Sequence, residues 1–237
     1  MLDISRLSLL SPIRLSDDTV IEADSASIGG ESVECDVFKA LRLRKSTPSE
    51  VLLDPKHHDD FLWTWYHDVF VRDHVAAALR DSGLNGFELL PTIVMSGSPD
   101  RGLPRLWELR VTGFAGFASS KMKVEKMQYC ERHRAATYKL DGSFFEMIDP
   151  MKWDGSDLFT VWPFPLLYIA SEKFMDFYRK MHFTGVEFEP VLERLHLGQA
   201  SPGLPEQWLS PNNVDRLNND PEFKAALQRD RCRRRAD

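Results

Sequence analysis

The sequence predicts an α+β fold built from two related strand–helix–strand units and finished by a helical tail. Three observations carry that expectation. Residues 73–91 and 172–190 align without a gap at a spacing of 99. Helical and strand periodicities follow one another in the same order in both stretches. Near the end, Ser210-Pro211 and Asp220-Pro221 each place a capping side chain before a proline, which suits the first helical position.

In the repeat, Arg80 matches Arg179, Gly86 matches Gly185, Glu88 matches Glu187 and Pro91 matches Pro190. Asp73 faces Glu172, Leu79 faces Tyr178 and Leu84 faces Phe183, all similar in character. Trp63 and Trp162 share the spacing, and Asp54-Pro55 resembles Asp149-Pro150 at a slightly shorter one. A fixed spacing of this kind is the mark of a duplicated unit. Two such units are expected to pack as pseudo-symmetric halves or to share one sheet. Gly86 and Gly185 stand where a helix gives way to a strand, a place that often needs positive φ.

Taken in order, residues 1–35 read as irregular structure with one strand at most, and 36–44 as a short helix or strand. Asp73 is expected to cap a helix over 74–82 that Gly83 ends. A strand over 87–94 follows Gly86, and a loop over 96–100. Residues 107–114 alternate Trp107, Leu109 and Val111 against Glu108, Arg110 and Thr112, the period of a half-buried strand. Asp154-Gly155 reads as a turn. Phe159, Trp162, Phe164 and Tyr168, interrupted by Pro163 and Pro165, read as core strand. Ser171 caps a helix whose Phe174, Phe177, Tyr178 and Met181 fall on one face. A strand over 186–191 completes the second unit. The domain division this gives is 1–104, 105–200 and a tail over 201–237.

Composition narrows the class. The 237 residues are 43% hydrophobic and 28% charged, which supplies both a core and a solvated surface. No run of 18 apolar residues occurs, so no membrane-spanning helix is expected. Residues 1–10 lack the basic start and apolar stretch of a secretory signal, which makes the cytoplasm the default. Cys35, Cys130 and Cys232 are odd in number and far apart, as free thiols of a reducing compartment are. The net charge of −6 disfavours nucleic acid for the chain as a whole. Arg229, Arg231, Arg233, Arg234 and Arg235 reverse that balance locally. They suit a solvated helix end, with a nucleic-acid-binding module as the sharper alternative.

Catalytic patterns are sparse. There is no GxSxG elbow, phosphate-cradling glycine loop, HExxH or CxxC pair. His57, His58, Asp59 and Asp60, with His67, Asp68, Asp73 and His74, form the densest set of metal-ligand types. A metal-dependent hydrolase using residues 57–74 is therefore the alternative enzyme reading. A polar contact loop is the preferred one, because adjacent His57 and His58 do not both face one ion. Cys130 and His133 have the spacing of two zinc ligands. Cys35 and His182 are the remaining candidates, neither with comparable spacing.

The segments LWELRVTGFAG at 106–116, IDPMKWDGSDLFTVWPFPLLYIASEKFMDFY at 148–178 and FTGVEFEPV at 183–191 resemble the bacterial double-CxxCG proteins. These stand with the polymorphic-toxin immunity proteins that include the family-eleven immunity proteins. The likeness covers roughly 105–195. It implies a non-catalytic protein that neutralises a cognate protein toxin in the cytoplasm of the producing cell. The chain departs from the family at the CxxCG pairs: the later one is reduced to Cys130 and His133 and the earlier one is missing. Zinc is therefore not carried over, and no cofactor is expected. The acidic balance suits a basic toxin. The candidate contact residues are His58, Asp59, Asp60, Trp65 and Tyr66, an acidic and aromatic loop of the sort binding hot spots favour.

Overall fold

The computed structural model describes residues 2–12, 22–23, 31–35, 39–43, 49–53, 58–64, 67–95, 104–119, 121–130, 132, 135–193 and 199–233. In chain order the strands and helices are β1 (Ser8–Ser11), β2 (Glu22–Ala23), β3 (Glu31–Cys35), β4 (Lys39–Leu43), β5 (Glu50–Leu52), β6 (Phe61–Trp63), β7 (Val69–Arg72), α1 (Asp73–Asp81), β8 (Phe87–Pro91), β9 (Ile93–Met95), β10 (Leu106–Val111) and β11 (Gly113–Phe117). There follow β12 (Lys123–Cys130), β13 (Ala135–Asp141), α2 (Phe144–Met147), β14 (Leu158–Trp162), β15 (Phe164–Ala170), α3 (Glu172–Lys180), β16 (Glu187–Pro190), β17 (Gln199–Gly203), α4 (Pro211–Asn219) and α5 (Pro221–Arg233). The fold is mixed α+β with a helical C-terminal part, as the sequence predicts.

Two sheets form the centre. One has the order β6-β7-β10-β8, the other β11-β14-β15-β1-β16. Alternation sends successive residues to opposite faces. Phe61, Trp63, Val69 and Val71 therefore face one core while Leu62 and Phe70 face another. The central core lies between the two sheets and holds the apolar faces of α1 and α3, with Val75, Leu79, Phe174 and Tyr178 all buried. On the far side of the five-stranded sheet, Leu9, Phe159, Val161 and Ile169 meet α2, α4, α5 and the sheet β12-β13-β17 in the largest core. On the far side of the four-stranded sheet, Leu62, Phe70 and Leu106 pack with Val51 and Leu53 beside the small sheet β2-β5-β9.

Several expectations are met at atomic detail. Ser171 Oγ accepts from the Phe174 amide at 3.3 Å and Ser210 Oγ from the Asn213 amide at 3.3 Å. Asp220 accepts from the Glu222 and Phe223 amides at 2.8 and 3.2 Å, starting α5. Gly83 takes φ +67 at the end of α1 and Gly155 takes φ +90 in the Asp154-Gly155 turn.

Other elements differ. Asp73 is the first residue of α1, not its cap, and its carboxylate instead accepts from Trp107 Nε1 at 2.8 Å. The apolar run 87–94 is two strands: Thr92 separates β8, which pairs with β10, from β9, which pairs with β5 in another sheet. The 107–114 strand likewise divides at Thr112 into β10 and β11, which join different sheets. Residues 158–170 fold back as the hairpin β14–β15, with a cis peptide at Trp162-Pro163. The N-terminal stretch is richer in strand than expected: it holds β1, β2 and β3, and β1 is an inner strand of the five-stranded sheet. The sheets also cross residue 104: β1 pairs with β15 and β16, and β10 with β7 and β8. The loop expected over 96–100 lies outside the described residues.

Candidate binding surface

The proposed contact residues flank the strand β6, whose three residues are fully buried. Immediately before it, His58 is exposed and Asp59 and Asp60 are half-buried. Trp65 and Tyr66 lie outside the described residues, as does His57. The structure thus brings His58, Asp59 and Asp60 to one surface turn.

Asp60 has internal work. Its carboxylate accepts from the Thr184 amide at 3.0 Å and the Thr184 hydroxyl at 3.2 Å, and pairs with His74 Nε2 at 2.8 Å. Its own amide donates to Thr184 Oγ1 at 3.0 Å. The Asp59 carbonyl accepts from Arg72 Nε at 2.8 Å. The start of β6 is thereby tied to the turn before β16. Of the three residues, the exposed His58 ring and the Asp59 carboxylate are the groups best placed to meet a partner.

The turn before β14 repeats this construction. Asp157, 7% exposed, accepts from the Asn85 amide at 3.1 Å, from Ser171 Oγ at 3.1 Å and from Lys173 Nζ at 3.2 Å. Asp157 and Leu158 both donate their amides to the Asn85 carbonyl at 3.2 Å. Each carboxylate therefore holds a turn of the opposite half and meets a side chain from its own half's helix: His74 for Asp60, Lys173 for Asp157. The bonds place Asp60 and Phe61 opposite Asp157 and Leu158, a spacing of 97. Trp63 is thus two residues out of step with Trp162. Trp63 Nε1 donates to the Gly185 carbonyl at 2.8 Å.

The segment 148–162, part of the WDGSD-containing stretch 148–178, is built inward. Asp154 accepts from the Phe114 amide at 2.8 Å and the Ser156 amide at 3.1 Å, and Trp153 Nε1 donates to the Ser156 carbonyl at 3.0 Å. Lys152 reaches Asp220 at 2.7 Å, Glu222 and the Phe117 carbonyl, fastening α5 to β11. Burial works against the charge on Lys152, but the hydrogen bonds and charges of Asp220 and Glu222 outweigh it and raise its pKa. Arg216 adds a bond to the Lys152 carbonyl at 2.7 Å.

For metal chemistry, no group of three or more His, Cys, Asp or Glu side chains is gathered among the described residues. Cys130 is buried at the end of β12, while His133 lies outside the described residues, so the pair is not placed. Cys35 is buried in β3 and His182 is exposed with φ 55 at the end of α3. The backbone of Arg229, Arg231 and Arg233 belongs to α5, whereas Arg234 and Arg235 lie outside the described residues.

One surface feature escaped sequence reasoning. The parallel pairing of β5 and β9 sets Glu50 beside Ile93 and Leu52 beside Met95. Leu52, Ile93 and Met95 therefore share a face and are 38%, 48% and 39% exposed. Reading 87–94 as one strand hid this, because β9 belongs to a sheet that the preceding strand does not. No helix among the described residues is long and apolar enough to cross a membrane. No family model matches the chain, and no curated protein matches it either.

Proposed function

We propose that this chain is an immunity protein, which binds and neutralises a cognate protein toxin without catalysis. The observation that supports the reading most is the use made of the resemblance-bearing segment. Asp154 and Asp157 of WDGSD fix turns by accepting backbone amides, and Leu158 to Trp162 form a fully buried strand. Residues shared for such reasons specify a scaffold, and a scaffold leaves its surface to fit a partner. The net charge of −6 favours a basic toxin, since complementary charge speeds encounter.

The test is growth of cells expressing the product of the adjacent gene, with and without this protein. Rescue together with a purified stoichiometric complex supports the reading. A harmless neighbour, or a toxic one that this chain neither binds nor neutralises, overturns it. The contact loop is tested with His58→Glu and Asp59→Lys. Asp60 is the wrong residue to change, because its carboxylate holds Thr184 and a loss of binding would report unfolding.

A further inference from the structure

We infer that the chain is a doubled unit whose two copies have exchanged their first strand, and that the exchange locks both halves into one cooperative body. The order β6-β7-β10-β8 is repeated as β14-β15-β1-β16. The third strand of each of these sets of four comes from the other half of the chain. β1 precedes the first unit yet sits in the second sheet, and β10 precedes the second unit yet sits in the first.

The registers coincide residue by residue. Trp107 lies between Val71 and Pro91, and Ser8 lies between Ala170 and Pro190. All three pairs of counterparts, 8 and 107, 71 and 170, 91 and 190, stand 99 apart. Glu108 meets Phe70 and Leu90, while Leu9 meets Ile169 and Glu189, at the same spacing. Side-chain similarity between β1 and β10 is slight, so the correspondence lives in pairing geometry rather than in letters.

The central core obeys the same relation. Leu10 and Leu109, Val69 and Tyr168, Val71 and Ala170, Val75 and Phe174, and Leu79 and Tyr178 are counterparts buried in one cluster. The linking bonds are reciprocal too. Phe61 donates its amide to the Thr184 carbonyl at 3.1 Å and Leu158 to the Asn85 carbonyl at 3.2 Å. The glycine after each acceptor closes on the same strand. A Cβ on Gly185 would stand 2.1 Å from the Phe61 carbonyl oxygen, and one on Gly86 would stand 2.0 Å from that of Leu158.

Without the exchange, β1 would lie between β7 and β8, and β10 between β15 and β16. With it, neither half owns a complete sheet. Opening the second half releases the N-terminal strand, uncovers Val75 and Leu79 of the first and removes the partners of Asp60 and Phe61. Opening the first half does the mirror-image damage. Partial unfolding of one half is thereby disfavoured relative to loss of both.

Native-state hydrogen exchange of the full chain along a urea series tests this. Peptides covering 8–11, 69–91, 106–111 and 158–190 are expected to lose protection at one common midpoint. In a second arm, Leu10→Ala and Leu109→Ala are each expected to lower that midpoint for both halves. Survival of 69–91 and 106–111 while 8–11 and 158–190 exchange, or the reverse, overturns the proposal. The unmutated chain decides the matter even if a variant does not fold.

Discussion

At the scale of single residues, the glycine that ends α1 and the one in the turn before β16 show how position sets consequence. Gly83 and Gly185 both hold positive φ, +67 and +93, but only Gly185 is crowded. An added methyl at Gly83 meets nothing within 4 Å. Gly83→Ala should therefore cost about 1–2 kcal/mol, the strain of a left-handed L-residue. Gly185→Ala adds collision with the Phe61 backbone and should cost more than about 3 kcal/mol. Urea midpoints of the two variants should rank in that order, and equal midpoints would contradict the close approach. Tyr138 and Tyr178 give a second prediction. Burial pushes both phenols up to about 12, and the nearby Asp60 and Asp59 charges add to the effect at Tyr178. The unfolded chain releases these protons near pH 10. The stability they contribute is thus fully present below pH 10 and declines as pH rises to about 12, by up to about 1.4 kcal/mol per unit for each tyrosine. Phenolate absorbance against pH, followed with the unfolding midpoint, checks it: two tyrosines titrating with the rest would refute it.

Elements are held by a few junctions. The C-terminal helices dock through apolar side chains such as Val214, Leu217 and Phe223 and through Lys152, which joins Asp220 and Glu222. Lys152→Met keeps the aliphatic stem near Gly116 but removes the counter-charge of the Asp220 carboxylate, which is 8% exposed and keeps its two amide bonds. Unpairing a buried charge costs about 3–5 kcal/mol, and partial access of water to Glu222 should bring this case to about 2–3 kcal/mol. Adding Asp220→Asn should recover part of the loss, and a double variant no better than the single would argue against the pair. The same junctions explain where element boundaries were legible. Ser171, Ser210 and Asp220 are read directly from sequence because a cap is a local bond between side chain and nearby amide. The breaks at Thr92 and Thr112 were not, because a strand-like pattern continues through each while the strand changes sheets.

Over the whole molecule, charge is the property that bears on the proposed partner. With the net charge at −6, association with a basic toxin should slow by about tenfold or more from low to physiological salt. Asp59→Lys should lower the association rate further while leaving the melting temperature unchanged. Stopped-flow binding at two ionic strengths tests both, and a salt-independent rate would remove the electrostatic part of the proposal. The candidate surface was legible only in part. His58 and Asp59 stand out as a polar pair, but the sequence does not distinguish Asp59 from Asp60, whose carboxylate is taken by Thr184, 124 residues away.

The sequence by itself determined the α+β class, the helix caps at Ser171, Ser210 and Asp220, the helix–glycine–strand motif at 73–91 and 172–190, and the paired helices of the tail. All of these rest on short-range physics: side-chain period, capping bonds and backbone freedom at glycine act within a few residues. Only the tertiary structure decided which strand completes which sheet, the inward use of Asp60 and Asp157, and the exposed face of Leu52, Ile93 and Met95. Those outcomes depend on pairing between segments about a hundred residues apart. A strand's period records that it has a buried face, not which neighbours will bury it.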